Sequence, residues 1–200
     1  MKIFFTIAML LASLQPALAG QMYGLFSIGS SRTSDLGNGI TESGMSNGLM
    51  IGYQVNQNLA FEAGYNGLYN AATLSGTNGL ANISMSGVEL ATLGMWPCND
   101  QISVFFRFGY GAYASNSSWS GINSGVQFTA ANTDSPTGFI YGLGMKYTIS
   151  KDFDARLGYN IYNLTGQGSN SIIANNVSTV SFVNGDALIH SIYIAGVTRF

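Results

Sequence analysis

Seven charged residues lie inside stretches that otherwise alternate between apolar and small side chains: Glu62, Glu89, Arg107, Lys146, Asp154, Arg156 and Arg199. Carboxylates and cations among apolar neighbours can exchange protons, hold an ion, or neutralise one another. Charge is otherwise scarce, with seven basic and nine acidic residues in 200. Acid–base catalysis by Glu62 and Glu89 would need the two in different ionisation states, whereas nearby Arg and Lys suit both as ion-pair partners. Mutual pairing is therefore the expected role. His190-Ser191 sets the one histidine beside a hydroxyl nucleophile. Adjacent residues of a strand point to opposite faces, so these two cannot share a nucleophile–base hydrogen bond. Asp35, Glu42, Asp134 and Asp186 are spread over three polar segments, without the convergence of oxygens that calcium needs. No catalytic residue, cofactor or metal is expected.

The segment KDFDARLGYNIY (Lys151 to Tyr162) shows which elements must carry the charges. Phe153, Ala155, Leu157, Tyr159 and Ile161 alternate with Asp154, Arg156, Gly158, Asn160 and Tyr162. A period of two makes this a strand with one apolar face and one small or charged face. Eight segments read this way: Met22–Ser31, Gly48–Val55, Leu59–Tyr69, Ser84–Trp96, Ile102–Ser115, Thr137–Ile149, Phe153–Asn163 and Leu188–Phe200. Three connections are short: Asn56–Asn58, Pro97–Gln101 and Ser150–Asp152. Four are long and rich in Ser, Asn, Gly and Thr: Thr33–Asn47, Asn70–Ile83, Asn116–Pro136 and Leu164–Ala187.

All seven strand charges fall on the parity opposite the bulky set. That set includes Leu49, Ile51, Phe61, Tyr65, Leu90, Phe106, Phe108, Tyr141 and Leu143. Gly52, Gly64, Gly109, Gly111, Gly142, Gly144 and Gly158 share the parity of the charges. A soluble eight-stranded barrel would place its bulky set inside. Rings outside with small and charged residues inside describe a barrel in a membrane. Two strands are ambiguous. The first opposes Phe26 and Ile28 to Tyr23 and Leu25, and the last is apolar on both parities, with Phe200, Ile194 and Ile192 taken as outward.

Composition agrees. Charged residues make up 8% of the chain, against about 25% in ordinary soluble domains. There are 26 Gly, 3 Pro, 11 Tyr and 12 Phe, too apolar and aromatic for disorder. Lys2, the apolar run Ile3–Ala12 and Ala17-Leu18-Ala19 form a secretory signal peptide over 1–19, leaving a barrel domain at 20–200. Cys98 has no partner for a disulfide, and no basic run suggests nucleic acid.

Charges inside a narrow barrel must meet opposite charges. A turn centred on Lys151 puts Lys146 opposite Arg156, with Asp154 and Glu62 as candidate acids; Glu89 and Arg107 can pair separately at mid-height. Eight strands leave a lumen that side chains can fill, so the expected state is plugged.

LMIGYQVNQNLAFEAGYNGLYN (Leu49 to Asn70) resembles the second hairpin of the outer membrane protein A family's transmembrane domain. FIYGLGMKYTISKDFDARLGYNIYNL (Phe139 to Leu164) resembles its hairpin between strands six and seven. GVTRF (Gly196 to Phe200) is similar to its closing strand, which implies that Phe200 is read by the barrel-assembly machinery. The resemblance also implies a luminal ion-pair cluster and a place near opacity-type and adhesin-like barrels. Since the sequence ends at Phe200, no peptidoglycan-binding domain is expected.

The reading is thus all-β: an eight-stranded antiparallel up-and-down transmembrane β-barrel in the outer membrane of a Gram-negative bacterium. Expected partners are membrane lipid, lipopolysaccharide, the assembly machinery and a host or surface ligand of the long loops, where Trp119 and Phe128 could make an exposed contact. The expected role is structural and adhesin-like. A narrow gated channel and a lipid A-modifying enzyme are the alternatives.

Overall fold

The computed structural model describes residues 20–33, 43–76, 79–123, 126–174 and 177–200; the expected signal peptide at 1–19 lies outside them. The described chain is strand nearly throughout: β1 (Gln21–Thr33), β2 (Ser43–Asn56), β3 (Leu59–Gly76), β4 (Gly79–Pro97), β5 (Ile102–Asn123), β6 (Val126–Asp134), β7 (Thr137–Thr148), β8 (Phe153–Ala174) and β9 (Val177–Arg199). Apart from β6 and β7, sequential strands pair antiparallel, and β1 pairs with β9 to close the sheet on itself. β6 and β7 occupy one position in the wall. Each pairs with β5 on one side and β8 on the other, β7 in the half near the tight turns and β6 beyond it. Ser135 and Pro136 interrupt the line, since proline has no N–H for the ladder. Nine segments therefore build an eight-stranded barrel.

Alternation sorts the side chains. Leu49, Phe61, Leu90, Phe106, Leu143, Leu157 and Ile194 are exposed on the outer surface. Among them, Phe139 packs against Phe108 at 5.8 Å and against Tyr110 at 5.4 Å between centroids, part of an aromatic band on the outer wall. The first strand is resolved: Phe26 (56% exposed) and Ile28 (44%) face out, while Tyr23 (2%) and Leu25 (4%) face in.

The interior departs from the expectation of small and charged residues alone. One apolar cluster, with Tyr23, Leu25, Leu93, Met95, Phe105 and Val197, fills the end near the tight turns. A second, with Leu68, Tyr113, Ile140, Tyr162, Leu164 and Ile189, fills the opposite half. The glycines of the inner face make room for these rings: a Cβ at Gly144 would collide with the Phe105 ring, and one at Gly158 with the Tyr193 ring.

Two local features also differ. The connection counted as Asn56–Asn58 is a two-residue turn, Gln57-Asn58, with a register shift between Gln54 and Asn56 that leaves Val55 unpaired. The extra residue restores the parity that a two-residue turn would break, so Tyr53 and Phe61 still face each other. The long connections are mostly paired backbone. β3–β4, β5–β6 and β8–β9 continue as hairpins to tips at 77–78, 124–125 and 175–176, outside the described residues, as is 34–42 between β1 and β2. A rim hairpin satisfies its own amides and carbonyls, which polar composition alone does not reveal.

Candidate functional site

The luminal parity of β3, β4, β5 and β8 brings Glu62, Glu89, Arg107 and Arg156 together between the two apolar clusters. Arg107 lies between both acids, with Nε 3.5 Å from Glu62 Oε2 and Nη2 2.8 Å from Glu89 Oε2. Arg156 Nη1 donates to Glu62 Oε1 at 2.5 Å. No side chain in this group is more than 3% exposed. Four charges taken from water cost several kcal/mol per ion, so each needs several partners.

They have them. Tyr23 donates its hydroxyl to Glu62 Oε1 at 2.7 Å, and Tyr113 donates to Glu89 Oε1 at 2.5 Å. Asn66 Nδ2 donates to Glu89 Oε1 at 2.9 Å and to Tyr162 Oη at 2.8 Å; Asn160 Nδ2 donates to the same hydroxyl at 3.2 Å. The Arg156 guanidinium lies 5.0 Å from the Tyr23 ring centroid and 5.7 Å from that of Phe105. The charged layer is thus tied to the apolar layers on both sides. Arg107 Nη1 and Asn160 Oδ1 have no protein partner. Both residues border a cavity of about 20 Å³, room for roughly one water.

Asp154 and Arg199 form a second pair nearer the tight turns, and Arg199 Nη1 also donates to the Lys151 carbonyl at 2.7 Å. Lys146 is paired in register with Arg156 and is buried. Neither candidate acid reaches it: Asp154 is held by Arg199 and Glu62 by Arg156, and among the described residues no carboxylate lies within 4.0 Å of its ammonium.

Tyr23, Asn66, Tyr113 and Tyr162 were not among the sequence candidates. Three of them carried a usable signal, since Asn66 shares the parity of Glu62, Tyr113 that of Arg107, and Tyr162 that of Arg156. Tyr23 sits on the strand whose parity was ambiguous.

His190 and Ser191 are on opposite surfaces of the wall. Ser191 is inside, its Oγ 3.3 Å from Ser46 Oγ. His190 is on the outer face, its Nδ1 2.5 Å from the Tyr159 hydroxyl and its ring stacked on that of Tyr159. Asp134 ends β6, and Asp186 is exposed on β9; Asp35 and Glu42 lie outside the described residues. Among the described residues no group of three or more ligand-type side chains converges on a metal site. Trp119 and Phe128 are on the β5–β6 hairpin, where Trp119 pairs with Ala130 and Phe128 with Gly121; their side chains lie outside the described part. Cys98 is exposed in the β4–β5 turn, and Phe200 is 71% exposed, its N–H bonded to the Met22 carbonyl.

A closed antiparallel barrel with an apolar outer wall and a packed, ion-paired lumen is the architecture of small outer-membrane proteins. The profile of the OmpA-like transmembrane domain matches residues 19–183. The chain belongs to the OmpA-like transmembrane domain family. Outer membrane protein A of Serratia marcescens is 28% identical over 140 residues, which cover 69% of this chain and 38% of that protein, so the matched region is well under half of the relative. Among solved structures, Neisserial surface protein A shares the fold with a TM-score of 0.58 at 13% identity, over 90% of this chain and 97% of that one. Ail of Yersinia pestis, solved with the heparin analogue sucrose octasulfate, gives 0.56 at 14% identity, over 90% and 99%. This OmpA-like barrel is an integral protein of a Gram-negative outer membrane, and its long hairpins are on the side where such barrels carry their external loops.

Proposed function

We propose that the barrel is a closed, non-enzymatic scaffold whose external hairpins make contacts at the cell surface. The observation that carries this reading is the continuation of paired strand past the length that a bilayer crossing needs. β5 runs 22 residues, from Ile102 to Asn123, where about 9–11 suffice to cross a bilayer. β8 runs 22 residues and β9 23, and together these hairpins hold Ser-, Asn- and Thr-rich segments on a stiff stem. The luminal layers supply the stiffness by cross-linking β1, β3, β4, β5 and β8 from within.

The surface chemistry narrows the ligand. Segments 34–47, 70–83, 116–136 and 164–187 contain no Lys or Arg, yet include Asp35, Glu42, Asp134 and Asp186. A polysulfated ligand such as the one bound to Ail would find no cationic surface there. Hydroxyls and amides suit a neutral glycan or a peptide backbone. Phe200, exposed beside the seam between β1 and β9, is suited to contact by the assembly machinery during insertion.

Replacing all four segments with tight turns tests the role. The barrel should still fold, seen as a heat-sensitive gel mobility, while cells expressing it lose attachment to host cells or coated surfaces. Attachment that survives the replacement overturns the reading. The position of Arg107 between two acids supports a second reading, a narrow channel opened when those pairs rearrange, and planar-bilayer recordings separate the two.

A further inference from the structure

The seven Lys and Arg residues are unevenly placed. Lys2 lies outside the described residues, Lys151 is in a tight turn, and Arg107, Lys146, Arg156 and Arg199 are on the inner face. Arg32 is left, exposed on the outer face of β1 in the external half. The residue paired with it across the β1–β9 seam is His190, the chain's one histidine. Directly opposed residues of an antiparallel pair have Cβ atoms about 4.5–5.5 Å apart on one face, so the guanidinium and imidazole are neighbours.

The surroundings place this pair at the edge of the apolar wall. Along β1 the outward residues run Phe26, Ile28, Ser30, Arg32; along β9 they run Ile194, Ile192, His190, Leu188. Exposed Met45 on β2 is paired with Ser30, so apolar side chains flank the two polar groups on both sides. Tyr159 fixes the histidine. When its hydroxyl donates to Nδ1 at 2.5 Å, the ring proton resides on Nε2, which becomes a donor. Arg32 forms no ion pair among the described residues. Along the outward face of β9 the nearest carboxylate is Asp186, four residues towards the hairpin tip.

A guanidinium beside an imidazole, bordered by apolar side chains on the outer wall, matches a phosphate carried on acyl chains. We infer that Arg32 and His190 form a site for the phosphate of an outer-leaflet glycolipid, the phosphorylated lipid A moiety, docked across the β1–β9 seam. The assignment rests on the long hairpins being external. Protease clipping of the 116–136 hairpin on intact cells reports that orientation independently.

The test uses the folded barrel in vesicles doped with diphosphoryl lipid A, with lipid A stripped of both phosphates, or with phosphatidylglycerol, and quantifies lipid retained after extraction by native mass spectrometry. The unaltered barrel should retain diphosphoryl lipid A about tenfold over the stripped form. The R32Q/H190Q variant, altered only on the outer surface, should retain the two forms equally. Equal retention of both forms by the unaltered barrel, or an undiminished preference in the double variant, overturns the site. A stronger preference for phosphatidylglycerol overturns the glycolipid assignment.

Discussion

Arg107 Nη2 lies 2.8 Å from Glu89 Oε2, with the two side chains 2% and 0% exposed. Glu62 also contacts Arg107, but it keeps Arg156 when Arg107 is lost; Glu89 has no second cation among the described salt bridges. Arg107→Met therefore strands one carboxylate. Urea unfolding in lipid vesicles should show a loss of about 3–5 kcal/mol. Adding Glu89→Gln should recover most of it, because Tyr113 and Asn66 can still bond a neutral amide. No recovery in the double variant would mean that the pair is not the source of the cost.

Lys146 and Asp154 should respond in opposite directions. Lys146 is a buried cation without an ion pair, so Lys146→Met should leave stability unchanged or raise it by about 1 kcal/mol. Asp154→Asn removes the partner of Arg199 on the closing strand and should cost about 2 kcal/mol, moderated by the partial exposure of Arg199. The same unfolding assay checks both. A strongly destabilised Lys146→Met would show that the ammonium has a partner it depends on.

The luminal glycines should refuse bulk. Gly158→Leu would drive its side chain into the Tyr193 ring and should cost about 1–3 kcal/mol. Combining it with Tyr193→Ala should return part of that loss. Equal effects in both backgrounds would show that the ring is not what fills the space.

Much of this was readable from alternation. Where the luminal positions of a strand are charged or small, as at Asp154, Arg156 and Gly158, its two faces differ in kind and parity assigns them. Where it crosses an apolar luminal layer the signal vanishes: Tyr23 and Leu25 inside read the same as Phe26 and Ile28 outside. Which acid meets which cation is hidden from the sequence for another reason. Sequence gives register between neighbouring strands, but ion pairs in a barrel also cross the lumen, as Arg156 does to reach Glu62 94 residues away. The bulge at Val55 and the hairpin stems escaped notice because both depend on backbone pairing, which polar composition hides.

The lumen's closure is tested most directly by recording ion current through the purified, folded barrel in a planar bilayer. Apolar layers above and below a neutralised charged layer, with a cavity of about 20 Å³ between them, should give no steady ohmic conductance at moderate voltage. Stable, voltage-independent openings from native protein would contradict the closed scaffold and favour a pore.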